Sequence, residues 1–193
     1  ATCASWAWMA AVVFQRTPSA VGVRDNRPTD PAVVDGVHPG WQQERMDNFQ
    51  ALMLGRPVEA DLIDDGWTHH YAAAQNPPRR KGMSVPEIIR SAEAVDLRIM
   101  EEHRARVAEE VTDPTVAEVL KPQYRYTCKR PCFHDEYLAA FNEPNVTLVD
   151  CPAGFDEIAG TGPVVDGRTH PVDCLVYATG FEGEVTPLPR RAG

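Results

Sequence analysis

KPQYRYTCKRPCFHDEY, residues 121–137, decides how this chain is read. Two cations stand side by side in it, Lys129 and Arg130. Thr127 and Cys128 precede them, Pro131 follows at once, and Tyr124, Tyr126, Phe133 and Tyr137 flank them. A little further on, NVTLVD (residues 145–150) predicts a strand, and its apolar part, Val146 to Val149, reads as one covered on both faces. Pro131 has no N–H to give to a ladder, so the cation pair is expected in a loop beside a sheet. Side chains that touch ligands are commonly carried on such loops. Taken alone, the pair reads as solvated charge ahead of a proline.

Composition bounds the function. The chain has 193 residues, 43% of them apolar and 24% charged, as expected for a soluble globular protein of one ordinary domain or two small ones. A net charge of −9, from 19 basic and 28 acidic residues, argues against a nucleic-acid binder. No apolar run approaches the roughly 20 residues of a membrane span, and the apolar start, Ala1 to Val13, lacks the basic flank of a signal peptide. The five cysteines, Cys3, Cys128, Cys132, Cys151 and Cys174, include no Cys-x-x-Cys and no zinc spacing. Free thiols in a reducing cytoplasm are expected, with no metal.

Upstream of the cation pair, Ala10 to Phe14 predicts a buried strand ended by Gln15-Arg16-Thr17-Pro18. An Arg and a Thr just past the carboxyl end of a strand are placed for a phosphate, or are simply exposed at a strand end. From Asn26 to about Leu120 the pattern turns helical. Asp30-Pro31 is a cap with a first-turn proline. Met46, Phe49 and Met53 form one face of a helix over Trp41 to Leu54, which Gly55-Arg-Pro57 stops. Asp64-Asp-Gly-Trp-Thr-His-His70 reads as a loop and helix cap, because adjacent histidines point in different directions and seldom share an ion. Gln75 to Gly82 reads as a linker. Ser84 and Glu87 predict a capping box, opening a helix with Ile88, Ala92, Val95, Ile99 and Val107 buried and with Glu101, Glu102, Arg104 and Arg106 near its wet side. Asp113-Pro114 starts a further short helix that Lys121-Pro122 ends.

Downstream, Asp166-Gly167 predicts a hairpin between Pro163–Val165 and Arg168–His170. Gly160-Thr-Gly162 lacks the third glycine and following helix of a dinucleotide loop and reads as a turn. Cys174 to Ala178 predicts another buried strand, running into Thr179-Gly180-Phe181-Glu182, where a glycine lets backbone approach a ligand closely.

Four stretches occur in one order: FQRTP (14–18), TCKRP (127–131), FNEPNVTLVD (141–150) and DCLVYATGFE (173–182). With NRPTD (26–30), PGW (39–41) and DDGW (64–67), they make the chain resemble the Baeyer–Villiger monooxygenases, class B flavoproteins that use FAD and NADPH. The resemblance covers roughly Val13 to Glu182. It implies that Arg16, Thr17 and Lys129 bind the 2′-phosphate of NADPH, and that Arg130 positions the nicotinamide and stabilises negative charge at the flavin. Ala178, Thr179 and Gly180 would link the NADPH domain back to the FAD domain. The partners implied are a ketone and O2.

The fold class expected is α/β, a partial Rossmann-like, three-layer unit with a large helical insertion. Residues 1–25 and 122–177 are read as parts of the NADPH-binding domain, 26–121 as the insertion, and 178–193 as the start of a return to the FAD-binding domain. The family's two Gly-x-Gly-x-x-Gly loops and its aromatic–His fingerprint do not occur in these residues. The chain is therefore expected to be an internal piece with its FAD site largely missing, inactive alone and not yellow when purified. The competing expectations are a silent remnant that binds a nucleotide or another chain, and a related flavin monooxygenase acting on nitrogen or sulfur.

Overall fold

Ala11–Gln15 (β1) and Val146–Asp150 (β4) lie far apart in the chain and pair as parallel strands, in register from Ala11↔Val146 to Gln15↔Asp150. The computed structural model describes residues 9–26 and 28–179. Both strands are rich in the β-branched and aromatic residues that suit a pleated surface. A second, short parallel pair lies between them in the chain, Val21–Gly22 (β2), after β1, with Cys132–Phe133 (β3), before β4. β4 departs from expectation in its burial. Val146, Leu148 and Val149 are half-buried and Thr147 is exposed, because β4 has one strand neighbour, β1, among the described residues.

Helices fill the span between β2 and β3. Asp30 accepts from the Ala32 N–H and caps Pro31–Asp35 (α1). Trp41–Met53 (α2) stops before Gly55, which takes a left-handed φ of 64°. Met46, expected on the packed face of α2, is exposed instead, and Phe49, Leu52 and Met53 carry the partial burial. Trp67–Tyr71 is a π-helical turn that runs into Ala72–Gln75 (α3). The long helix Val85–Glu110 (α4) opens with the Ser84 N–H and Oγ both donating to the Glu87 carboxylate, at 2.7 and 2.6 Å. Asp113 accepts from the Thr115 N–H to start Pro114–Leu120 (α5). No helix among the described residues is long and apolar enough to cross a membrane.

Two apolar clusters hold this arrangement, and α4 contributes to both. Ile99 and Met100 pack with Ala20 and Tyr126, while Val107 packs with Val111, Ala117, Leu120 and Leu138, with Leu148 of β4 against them. The predicted stripe along α4 is present, half-buried at Ile88, Ala92 and Val95 and fully buried at Ile99 and Val107. Arg106 is corrected. It does not lie on the wet side, because its guanidinium donates to the carbonyls of Val21 and His134 and to the Glu110 carboxylate.

The chain divides into two compact units, residues 1–152 and 153–193. In the second, Glu157–Ala159 (β5), Gly162–Val165 (β6) and Arg168–Thr169 (β7) form an antiparallel sheet. The predicted hairpin is there: Asp166 and Gly167 take φ of 49° and 71°, the left-handed pair a two-residue turn of this type demands. The expected strand Cys174–Ala178 is absent. Residues 174–179 are irregular, and Val176 and Tyr177 are 80% and 63% exposed. An apolar run becomes a strand only against a hydrogen-bonding neighbour, and no described strand pairs with this one.

Leu138 is 2% exposed at the centre of one cluster, so Leu138→Ala is expected to lower stability by about 2–5 kcal/mol. Met46→Ala, on the exposed side of α2, is expected to stay within about 0.5 kcal/mol. Urea midpoints of both variants against the parent chain check this, and equal losses would contradict the packing described.

Candidate functional site

The loop leaving β1 is pinned at both ends. At one end Gln15 is buried, and its side-chain amide donates to the Val119 carbonyl at 3.0 Å. At the other, the Ala20 N–H donates to the Tyr124 hydroxyl at 2.9 Å, and the Ala20 carbonyl accepts from the Cys132 N–H at 3.1 Å. Arg16 and Thr17 are exposed between these anchors, and Pro18 beside them is buried. They sit just past the carboxyl end of β1, as the sequence predicts.

Lys129 and Arg130 are in the predicted loop, both exposed. A 3-10 turn at Tyr126–Cys128 delivers the chain to them, Lys129 is extended (φ −133°, ψ 160°), and β3 begins directly after the buried Pro131. The Lys129 ammonium lies 4.7 Å from the centre of the Tyr124 ring, within cation–π range. Tyr124 thus touches Lys129 with its ring and the β1–β2 loop with its hydroxyl. Burial pushes its phenol pKa up, opposed by the Ala20 N–H and Ser19 hydrogen bonds. Ala178 and Thr179 are exposed in the irregular segment of the second unit, and Gly180 lies outside the described residues.

The support behind the loop comes from residues to which the sequence assigns no such role. Arg106 ties the ends of β2 and β3 together from α4. The Asp135 carboxylate accepts from the N–H groups of Arg24, Asp25 and Asn26 at 2.8, 2.9 and 3.0 Å, and those hydrogen bonds hold its pKa down. In the sequence it stands only as an aspartate shortly after the Lys129–Arg130 pair. Phe133 sits beside Trp67, with ring centres 5.3 Å apart, and against Gly22 and Gly66, where a Cβ would run into its ring.

Behind Tyr126 the rings of His70, His103 and Tyr126 follow one another at 5.7 and 5.1 Å. His103 Nδ1 lies 2.8 Å from the Ile99 carbonyl, which only accepts, so this nitrogen carries the proton. Burial pushes the pKa of both His103 and His70 down and that of Tyr126 up. Elsewhere, Asp61, Asp64 and His69 bring one ligand-type atom each within 4.8 Å of one another, with His69 Nε2 and Asp64 Oδ1 at 2.8 Å.

No protein-family model matches the chain. It is 52% identical over 186 residues to pentalenolactone D synthase of Streptomyces arenae, covering 94% of this chain and 32% of the relative. It is 50% identical over 181 residues to Baeyer–Villiger monooxygenase 4 of Dietzia sp. (strain D5), covering 89% and 29%. Over about nine tenths of its length the chain is therefore similar to Baeyer–Villiger monooxygenases. It spans about a third of the length of these curated relatives. The polycyclic ketone monooxygenase of the thermophilic fungus Thermothelomyces thermophila matches its structure with a TM-score of 0.71 at 38% identity, over 84% of this chain and 28% of that one. The fold also matches OTEMO, solved in complex with FAD and NADP, with a TM-score of 0.61 at 21% identity over 89% and 33%.

The buried His103 gives this chain a pH dependence with a definite sign. The unfolded chain protonates His103 near pH 6.5, whereas burial delays this in the folded chain. Stability present above that pH is therefore lost as the pH falls toward the folded value. Urea midpoints are expected to fall between about pH 7 and pH 5, and His103→Gln is expected to flatten that slope. An unchanged slope in the variant would remove His103 from the account.

Proposed function

We propose that this chain supplies the NADPH-binding side of a flavin-dependent Baeyer–Villiger monooxygenase, which uses NADPH and O2 to oxygenate a ketone to an ester or lactone. The carrying observation is the convergence on Tyr124 of the Arg16–Thr17 loop and Lys129. A phosphate dianion is bound well by two cations and a hydroxyl, and all three side chains are exposed. Arg16 and Thr17 lie past the carboxyl end of a parallel strand, where open α/β sheets take their ligands. The donor set fits the 2′-phosphate of NADPH. When bound in the whole enzyme, FAD and NADPH supply the oxygen activation and the hydride.

Within that reading, Arg16, Thr17 and Lys129 hold the nucleotide. The extended backbone at Lys129 sends neighbouring side chains to opposite sides, so Arg130 is free to face the flavin. There it offers a fixed positive charge where negative charge develops. In domain terms, residues 1–25 and 122–177 belong to a Rossmann-like NADPH-binding domain, 26–121 are its helical insertion, and 178–193 begin the return to the FAD-binding domain, with Ala178, Thr179 and Gly180 at that junction. A cytoplasmic setting suits the soluble cofactors.

In a full-length monooxygenase carrying this segment, Lys129→Ala is expected to weaken NADPH binding about ten- to a hundredfold and to spare NADH. Arg130→Ala is expected to abolish oxygen insertion while NADPH still binds. Binding titrations of both nicotinamides and ketone turnover separate the two roles. Equal losses for NADPH and NADH in both variants, with turnover intact, would reduce the pair to ordinary surface charge.

A further inference from the structure

Tyr124 stands between the two halves of the site. Its ring carries the Lys129 ammonium, and its hydroxyl accepts from Ala20, three residues beyond Thr17. Lysine is among the side chains that lose most rotamer freedom when ordered. A lysine already resting on an aromatic face has part of that cost met before a ligand arrives. A cation–π contact leaves the ammonium N–H groups that point away from the ring available to phosphate oxygens. The hydroxyl does the matching task for the other half, since it fixes one end of the four-residue link between Gln15 and Ala20 that presents Arg16 and Thr17.

We propose that Tyr124 is the positioning residue that sets the preference of this site for a 2′-phosphorylated adenine nucleotide, by placing Lys129 and the Arg16–Thr17 loop on the same phosphate. The inference rests on the reading of Arg16, Thr17 and Lys129 as the phosphate site. Because the ring and the hydroxyl serve different halves, two substitutions separate them. Tyr124→Phe keeps the ring under Lys129 and releases the loop, whereas Tyr124→Leu removes both.

The experiment titrates the chain with 2′-AMP and with 5′-AMP, which differ only in where the phosphate sits. The parent chain is expected to favour 2′-AMP. Tyr124→Leu is expected to lower the 2′-AMP to 5′-AMP affinity ratio about three- to thirtyfold, and Tyr124→Phe about two- to tenfold, with 5′-AMP affinity unchanged in both. A merely structural role would weaken the two ligands together and leave the ratio alone, and that result overturns the proposal. So does a ratio that survives in Tyr124→Leu but collapses in Lys129→Ala, an outcome that keeps the phosphate site and removes Tyr124 from it. No preference for 2′-AMP in the parent chain overturns the phosphate reading and this inference with it. If circular dichroism shows Tyr124→Leu unfolded, Tyr124→Phe decides through the hydroxyl: an unchanged ratio there overturns the coupling.

Discussion

The pairing of β1 with β4 is the constraint on which the first unit depends. Five residues near one end of the chain must find five near the other, with the whole helical region closed into the loop between them. Loop closure of this kind grows only slowly in cost with length, but a two-stranded pair is too weak to hold it alone. The hold comes from the helices inside the loop. Leu148 of β4 rests on the cluster that Val107, Leu120 and Leu138 build, and Gln15 of β1 reaches the Val119 carbonyl at the end of α5. The helices are what make the strand pair stable, rather than an ornament on it.

The same dependence extends to the charged loop. β2 and β3 are two residues each, far too short to stand by themselves. Arg106 fastens both from α4, Asp135 gathers the backbone leaving β2, and Tyr126 plugs the interior just before the cations. The exposed chemistry at Lys129 and Arg130 therefore stands on the buried Tyr126 and on a hydrogen-bonded frame to which α4 contributes Arg106.

Local signals were legible and distant ones were not. Ser84 with Glu87, Asp113 with Pro114, and Asp166 with Gly167 each declare a structure through atoms a few residues apart, and all three appear where the sequence places them. Arg106 reads as a surface charge because its partners, Val21 and His134, are brought to it only by topology. Met46 is exposed, while Phe49 and Met53 of the same predicted face are half-buried. Cys174 to Ala178 has the composition of a buried strand, yet composition cannot provide the neighbour a strand requires. At the site, the residue types and their order were readable at Arg16, Thr17, Lys129 and Arg130. Tyr124 was visible only as one aromatic among four, since nothing in the sequence tells which ring a lysine will rest on.

The π-helical turn at Trp67–Tyr71 carries an implication for how this segment tolerates changes of length. A π turn is an α turn with one residue too many. It occurs where two neighbours of the helix must be met at once: Trp67 against Phe133 on the strand side, and His70 against His103 on α4. Removing one residue between Gly66 and Ala72 would leave an unbroken α-helix but rotate one of these contacts out of reach. The helix is thus the place where an insertion or deletion is absorbed without breaking the chain's path, and the geometry around Phe133 is what such a change would alter.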